Sequence, residues 1–167
     1  MFGKNFNILS KFLNFEMEKP NYKIVSSEDG LWNEFDSISE DKIVKKGVGY
    51  YLFTENEIEY AELSFGDITK SGNIDLKVVT DNKDFTFVIG TVIITLYRFF
   101  ELYPNKIVVF TGSSSSRNRL YRAIIGKLFE EGKIYFDILG ITFEGETETF
   151  EKNKDYLAFQ ISIKNEQ

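Results

Sequence analysis

The sequence predicts an α+β fold in which a mostly antiparallel sheet carries two main helices on one face. The composition favours a sheet, since 16% of the 167 residues are aromatic and only 2 are proline. Aromatic and β-branched side chains suit pleated, half-buried strands. Two alternating apolar runs flank the turn-length segment 55–57, which predicts a hairpin. Two further stretches, 85–102 and 114–131, are long enough to be helices.

The first half of the chain is predicted to hold an N-terminal arm and four strands. In residues 1–20, apolar side chains recur at roughly helical spacing until Pro20 ends the pattern, which predicts an arm or a short helix. Residues 31–46 are polar and show no clear pattern, apart from a short strand that fits 41–46. The four strands of this half lie at 22–26, 47–54, 58–65 and 74–80, and the segment 41–46 leads into the second of them.

The second half of the chain is predicted to alternate helices with strands. Residues 85–102 are rich in β-branched side chains, but their length and the terminator at 103–105 favour a helix, with Asn82 or Asp84 as its N-cap. An apolar stripe at helical spacing predicts the second helix over 114–131, closed by Gly132. The complete order is β-β-β-β-α-β-α-β-β in a single domain over residues 21–167, with the remaining strands at 106–110, 134–139 and 156–163.

Cysteine and histidine are both absent from the sequence. The lack of cysteine excludes disulfides, zinc–thiolate sites and a cysteine nucleophile. The lack of histidine removes the commonest general base and every Ser-His-Asp arrangement. Any catalysis would therefore have to use carboxylates, lysine, tyrosine or hydroxyl groups, and we expect no cofactor.

The charge of the chain is strongly segregated. The formal net charge is -6, which argues against broad, nonspecific binding to nucleic acid or to an anionic membrane. Residues 113–127 nevertheless carry four basic side chains and no acid, so this segment is +4 and the rest of the chain is -10 (-6 minus +4). A local basic patch is therefore predicted on an acidic protein.

We expect a cytoplasmic protein that does not contact a membrane. Residues 1–6 contain an early lysine but no long apolar core, so they do not resemble a signal peptide. The most apolar run, 85–97, has 13 uncharged residues, fewer than the roughly 20 that a membrane-spanning helix needs.

The strongest candidate site comes directly after the buried strand at 106–110. There the small-residue turn at Gly112, Ser113 and Ser114 leads into a helix that begins with Arg117, Arg119, Tyr121 and Arg122. Free backbone N–H groups at a helix N-terminus and arginine side chains both suit an anion such as phosphate. The Gly-Lys-Ser/Thr ending of a Walker loop is missing. A competing interpretation is that the serines cap the helix and the arginines pair with acids of the protein itself.

The residues of this site and its surroundings are compatible with three hypotheses for its function. In the first, Gly112 permits the turn, Ser113 and Ser114 donate hydrogen bonds, Arg117 and Arg119 neutralise a bound anion, and Tyr121 or Arg122 positions it. In the second, the arginines dock an acidic protein partner, and the apolar arm at 1–20 mediates assembly with a partner or a second copy. In the third, Asp67 and Asp75, with Glu62 nearby, hold Mg²⁺ in a nuclease that resembles the RNase H fold.

Several segments resemble a family of small bacterial proteins known only as a domain of unknown function. They are Phe65-Gly66-Asp67, residues 71–75, Tyr103-Pro104 and residues 111–122, the last of which is similar to the family's Gly-Ser-Thr-x-x-Arg-x-Arg-Leu-Tyr motif. Residues 149–159 are similar to a second signature, Pro-Phe-x-Lys-x-x-x-Tyr-x-Ala-Phe. The resemblance covers roughly residues 45–164. The chain departs from the pattern at Ser114, where threonine is usual, and at Leu76, where a second acid often follows Asp75.

This resemblance implies where the site lies but not what it does. It supports a helix over 85–102 and a functional loop at 111–122. Since the family has no established activity, the sequence leaves the protein's status as an enzyme undecided. We therefore expect a small bacterial domain that binds a phosphate-bearing small molecule or RNA, in a setting such as a toxin–antitoxin or defence system.

Overall fold

The computed structural model describes residues 2–77, 80–111, 115–132 and 135–165, and it confirms the α+β class. The three helices are α1 (Phe2–Met17), α2 (Phe85–Leu102) and α3 (Ser115–Gly132). The bounds of α2 are those predicted, and α1 is the predicted N-terminal segment in helical form. The eight strands are β1 (Val25–Ser26), β2 (Trp32–Ile38), β3 (Ile43–Glu55), β4 (Ile58–Asp67), β5 (Ile107–Thr111), β6 (Phe136–Ile141), β7 (Thr147–Thr149) and β8 (Ala158–Ile163).

The strands form one sheet in the order β1-β2-β3-β4-β5-β8-β6-β7, which is mostly antiparallel. Strands β4 and β5 run parallel to each other. Parallel neighbours need a crossover connection, and here the segment that contains α2 provides it. Strand β5 then pairs with β8, which in turn pairs with β6, and both pairings are antiparallel.

The chain forms two compact units, and strands β3 and β4 contribute to both. Unit 1 comprises Met1–Gly49 and Ser64–Tyr103. Unit 2 comprises Tyr50–Leu63 and Pro104–Gln167.

Unit 1 is built on helix α2, which is buried along most of its length. Helix α1 packs antiparallel to it, because Ser10 contacts Glu101 near one end and the Phe12 ring contacts Tyr97 further along. By length and composition α2 could cross a membrane, and 67% of it is buried inside the protein, as in a core helix.

Strand β2 is absent from the sequence prediction, for a physical reason. Its inward-facing positions are Asn33, Phe35 and Ser37, so only one of the three is apolar. The two polar side chains are buried because they have partners: Asn33 accepts a hydrogen bond from Ser26, and Ser37 donates one to Asp84. Strand prediction relies on alternating apolar residues, and that signal is missing here.

The strand predicted at 74–80 is wrong for the described residues of that range, 74–77 and 80. Among them, Ile74 makes one isolated bridge, to Ile68 in the preceding segment. The Asp75 carboxylate accepts a hydrogen bond from the backbone N of Lys77, two residues further along the chain, at 2.7 Å. This local turn competes with extended pairing. The segment is instead attached to the sheet by Thr80, whose backbone N donates to Asp67 at 2.9 Å.

The predicted N-cap of α2 is confirmed in its position, but the side chain there does not cap the helix. Asp84 occupies the N-cap position without making a side-chain cap hydrogen bond. Its Oδ2 accepts instead from the hydroxyls of Tyr22 (2.6 Å) and Ser37 (2.5 Å). Asn82 donates to the backbone oxygen of Ser37. The side chains of both residues thus tie the start of α2 to β2, and the backbone oxygen of Asp84 accepts from the N–H of Val88 in the helix.

Unit 2 packs helix α3 on strands that include β5, β6 and β8. The apolar stripe predicted from the sequence is buried as expected, with every member at most 4% exposed: Leu120, Tyr121, Ile124, Ile125 and Leu128. The ring of Tyr121 contacts Phe110 edge-on, with centroids 5.5 Å apart. This packing fixes the position of α3 against the end of β5.

Candidate functional site

The candidate site lies where strand β5 gives way to helix α3. Strand β5 ends at Thr111, and α3 begins at Ser115. The predicted turn residues Gly112, Ser113 and Ser114 lie outside the described residues. The carboxyl end of a parallel strand followed by a helix N-terminus is where α/β proteins commonly bind anions. The fold therefore puts the predicted segment in a suitable place.

The first turns of α3 carry positive charge and no acidic side chain. The first turn itself has no acidic residue, so the positive end of the helix dipole is reinforced by arginines. Arg117 is buried, at 2% exposure, whereas Arg119 is exposed. The start of α3 therefore carries one guanidinium inside the protein and a second one at its surface.

Arg122 lies beside an acid, Asp155, near the chain's C-terminal segment. Its Nη2 donates to Asp155 Oδ1, and the two side chains are 54% and 68% exposed. Exposed pairs of this kind contribute little stability. The contact places the Asp155 carboxylate against this face of α3.

Tyr121, which the sequence offers as a positioning residue, is 1% exposed and packs against Phe110. Its ring belongs to the core of unit 2. Tyr121 therefore helps to fix helix α3, and Arg122, which is exposed, is the better placed of the two to reach a ligand at the surface.

Two acidic side chains flank the candidate site, and they come from different elements. Thr111 Oγ1 donates to Glu62 Oε1 at 3.1 Å, which places Glu62 of β4 beside the end of β5. Asp155 lies at Arg122. The sequence grouped Glu62 with Asp67 and Asp75, but the structure assigns it to unit 2 and the other two to unit 1. Asp155 is not among the candidate residues predicted from the sequence.

The second segment of the family resemblance, 149–159, packs beside α3. The ring of Phe150 contacts Phe129 of α3 at 5.2 Å and Phe159 at 6.0 Å. Strand β8 pairs with β5 so that Ala158 lies opposite Thr111. Two of the segments that carry the resemblance, 111–122 and 149–159, are thus brought together in space, and the Arg122–Asp155 pair joins them.

Tyr156 anchors that second segment. Its hydroxyl donates to Glu148 Oε1 at 2.9 Å and accepts from the backbone N of Glu151 at 3.0 Å. Its ring lies against Gly140, where any side chain would overlap it. Burial raises the pKa of the Tyr156 phenol above its ordinary value, and the Glu148 carboxylate adds to the shift.

The raised pKa predicts a loss of stability at high pH. A phenol whose folded pKa is raised contributes stability that is fully present below its unfolded pKa of about 10 and is lost as the pH rises through the folded value. We expect the free energy of unfolding, from urea titrations, to fall above pH ~10 less steeply in Tyr156→Phe than in the wild type. Tyr51→Phe, at a tyrosine that is 71% exposed, is the control. An equal decline in wild type and Tyr156→Phe would contradict this assignment.

The acidic candidates Asp67 and Asp75 are engaged in structural contacts. Lys46 is 1% exposed, and its Nζ donates to Asp67 Oδ1 at 2.7 Å and to Thr80 O at 2.8 Å. The second Asp67 oxygen accepts from Thr80 N. Within the described residues, no group of three or more Asp or Glu side chains is arranged to hold a metal ion. The contacts of Asp67 therefore serve to fasten the segment after β4.

The family of unknown function DUF6934 matches residues 18–164. The chain belongs to this family. The match includes both segments of the candidate site, 111–122 and 149–159, whereas helix α1 lies outside it. No curated protein and no solved structure matches the chain. Family membership thus agrees with the resemblance predicted from the sequence, and the function has to be argued from the site.

Proposed function

We propose that this domain binds a phosphate-bearing ligand, a nucleotide or a segment of RNA, at the start of helix α3. The observation that carries the proposal is an arginine-rich, acid-free helix start placed directly after the parallel strand β5. Backbone N–H groups at a helix start and guanidinium groups both favour phosphate oxygens, and the second can bind them in a bidentate manner. The charge segregation, +4 in 113–127 against -10 elsewhere, would guide an anion to this one region.

Each residue of the segment has a role in the proposal. Gly112 permits the turn, and Ser113 and Ser114 donate hydroxyl and amide hydrogen bonds to the anion. Arg117 and Arg119 neutralise its charge, the first from a buried position and the second from the surface. Arg122 would exchange its contact with Asp155 for a contact with the ligand.

A second candidate function is the docking of an acidic segment of a partner protein. The observation that favours it is the Arg122–Asp155 pair itself, since a carboxylate already occupies part of this face. A peptide with several Asp or Glu residues would use the same arginines without any chemical reaction. We further propose a cytoplasmic, bacterial setting such as a toxin–antitoxin or defence system. This proposal rests on the resemblance to a family of small bacterial domains.

A thermal-shift screen of inorganic phosphate, nucleotides, short RNAs and acidic peptides tests the proposal. We expect a nucleotide or RNA to raise the melting temperature of the wild type, and we expect Arg119→Gln to abolish most of that rise. Loss of one charge-assisted hydrogen bond is worth about 1.5–3 kcal/mol, or roughly ten- to hundredfold in affinity.

Lys23→Gln is the matched control, because it removes one positive charge from an exposed position in unit 1. A ligand that stabilises the wild type, Lys23→Gln and Arg119→Gln equally would contradict the proposed site. Stabilisation by acidic peptides alone, lost in Arg119→Gln, would establish the second candidate function in place of the first.

A further inference from the structure

Glu16 is a buried carboxylate whose hydrogen bonding is incomplete. It lies near the C-terminal end of helix α1 and is 1% exposed. Its Oε1 pairs with Lys19 Nζ at 2.9 Å, but its Oε2 has no hydrogen-bond partner among the described residues. An unsatisfied buried oxygen is costly, and a negative charge near a helix C-terminus is opposed by the helix dipole. Helix α1 therefore docks on the protein against a penalty that Glu16 imposes.

The docking of α1 depends mainly on one neighbour. Helix α1 packs chiefly against α2, through the buried Leu9 and Leu13 and the Phe12–Tyr97 ring contact at 5.7 Å. One polar contact, from Ser10 Oγ to Glu101 Oε1 at 2.9 Å, ties the two helices across the interface. A helix held by a single face is the kind of element that opens locally while the remaining structure stays folded.

The family match supports the independence of α1. It begins at residue 18, one residue after the helix ends at Met17. The segment that the family shares therefore includes α2 and its packing on β2 but not the helix that covers it. The short connection after α1 contains Pro20, which cannot continue a helix and so separates α1 from strand β1.

We propose that α1 is a releasable strap, which opens away from α2 while the rest of unit 1 stays folded, and that Glu16 sets how often it opens. Opening returns the Glu16 carboxylate to water and so relieves its unsatisfied oxygen. It also uncovers the face of α2 that carries Tyr97 and Glu101. The strap is a conformational device distinct from the anion site, since its residues lie in unit 1 and those of the site in unit 2.

Hydrogen exchange on the full chain tests the strap. In the wild type, we expect the amides of residues 9–17 to exchange about a hundredfold faster than the buried amides of α2, because local opening requires less free energy than global unfolding. In Glu16→Met, which replaces the carboxylate with an apolar side chain of similar length, we expect protection of residues 9–17 to rise about tenfold or more. Protection of α2 should change far less.

Glu18→Met is the matched control, because Glu18 is exposed and lies two residues after Glu16. The hydrogen-exchange protection of this variant should equal that of the wild type. Exchange of residues 9–17 at the same rate as α2 in the wild type would overturn the strap, whatever the variants do. Lower protection of residues 9–17 in a folded Glu16→Met would overturn the role given to Glu16.

Discussion

Replacing Asp67 with alanine is expected to lower the free energy of unfolding by about 3–5 kcal/mol. The loss would leave Lys46, at 1% exposure, as a buried cation without its carboxylate partner. It would also remove the acceptor for Thr80 N, which attaches the segment after β4 to the sheet. Urea or thermal unfolding monitored by circular dichroism measures the effect.

Two variants make this expectation specific to the ion pair. Asp81→Ala removes an exposed acid from the same segment, whose carboxylate accepts one hydrogen bond from the backbone N of Lys83, and should lower stability by no more than about 1 kcal/mol. The double variant Lys46→Met/Asp67→Leu should be more stable than Asp67→Ala, because replacing both partners leaves no buried charge uncompensated. A stability loss in Asp67→Ala no larger than that in Asp81→Ala would contradict the importance of the pair.

Replacing Gly140 with alanine is expected to destabilise the protein by about 1–3 kcal/mol. The added methyl group would overlap the Tyr156 ring. That ring cannot move away cheaply, because Phe150 and Phe159 pack against it and its hydroxyl makes two hydrogen bonds. The melting temperature reports the change.

The control for this substitution is a second glycine in the same unit. Gly126 lies in helix α3, and a methyl group there would meet nothing within 4 Å. Gly126→Ala should therefore stabilise the protein, by up to about 1 kcal/mol, through helix propensity. In a Tyr156→Ala background, Gly140→Ala should cost much less than it does alone. An equal cost in both backgrounds would show that the clash lies elsewhere.

The sequence predicts those parts of the fold in which burial leaves a regular pattern of apolar residues along the chain. Helix α2 and the apolar stripe of α3 follow from length and periodicity, because burial of one face or of all faces leaves a local pattern. Strand β2 was not predicted because two of its buried side chains, Asn33 and Ser37, are polar. Their hydrogen-bond partners make burial possible, and an alternation of apolar residues cannot indicate such partners. Ser37, for example, bonds Asp84 across 47 positions, and no local pattern encodes that contact.

The candidate site likewise contains residues that the sequence indicates and a contact that it does not indicate. The arginines of α3 could be named from sequence, because clustered positive charge after a small-residue turn has a direct chemical meaning. Asp155 could not, since its pairing with Arg122 depends on the antiparallel packing of β8 against β5. The only sequence signal for it was that residues 149–159 and 111–122 both took part in the family resemblance. Asp67 was offered as a metal ligand because Lys46, 21 positions away, could not be placed beside it.

The affinity of the nucleotide or RNA found by the thermal-shift screen, measured by calorimetry at several salt concentrations, tests the central proposal most directly. For a single-stranded RNA, the logarithm of the binding constant should fall with the logarithm of salt concentration by about 0.7 for each phosphate contact. We predict that Arg119→Gln weakens binding at least about tenfold and makes this slope shallower by about one contact, whereas Lys23→Gln matches the wild type. Identical affinities and slopes for Arg119→Gln and Lys23→Gln would contradict an anion site at the start of α3.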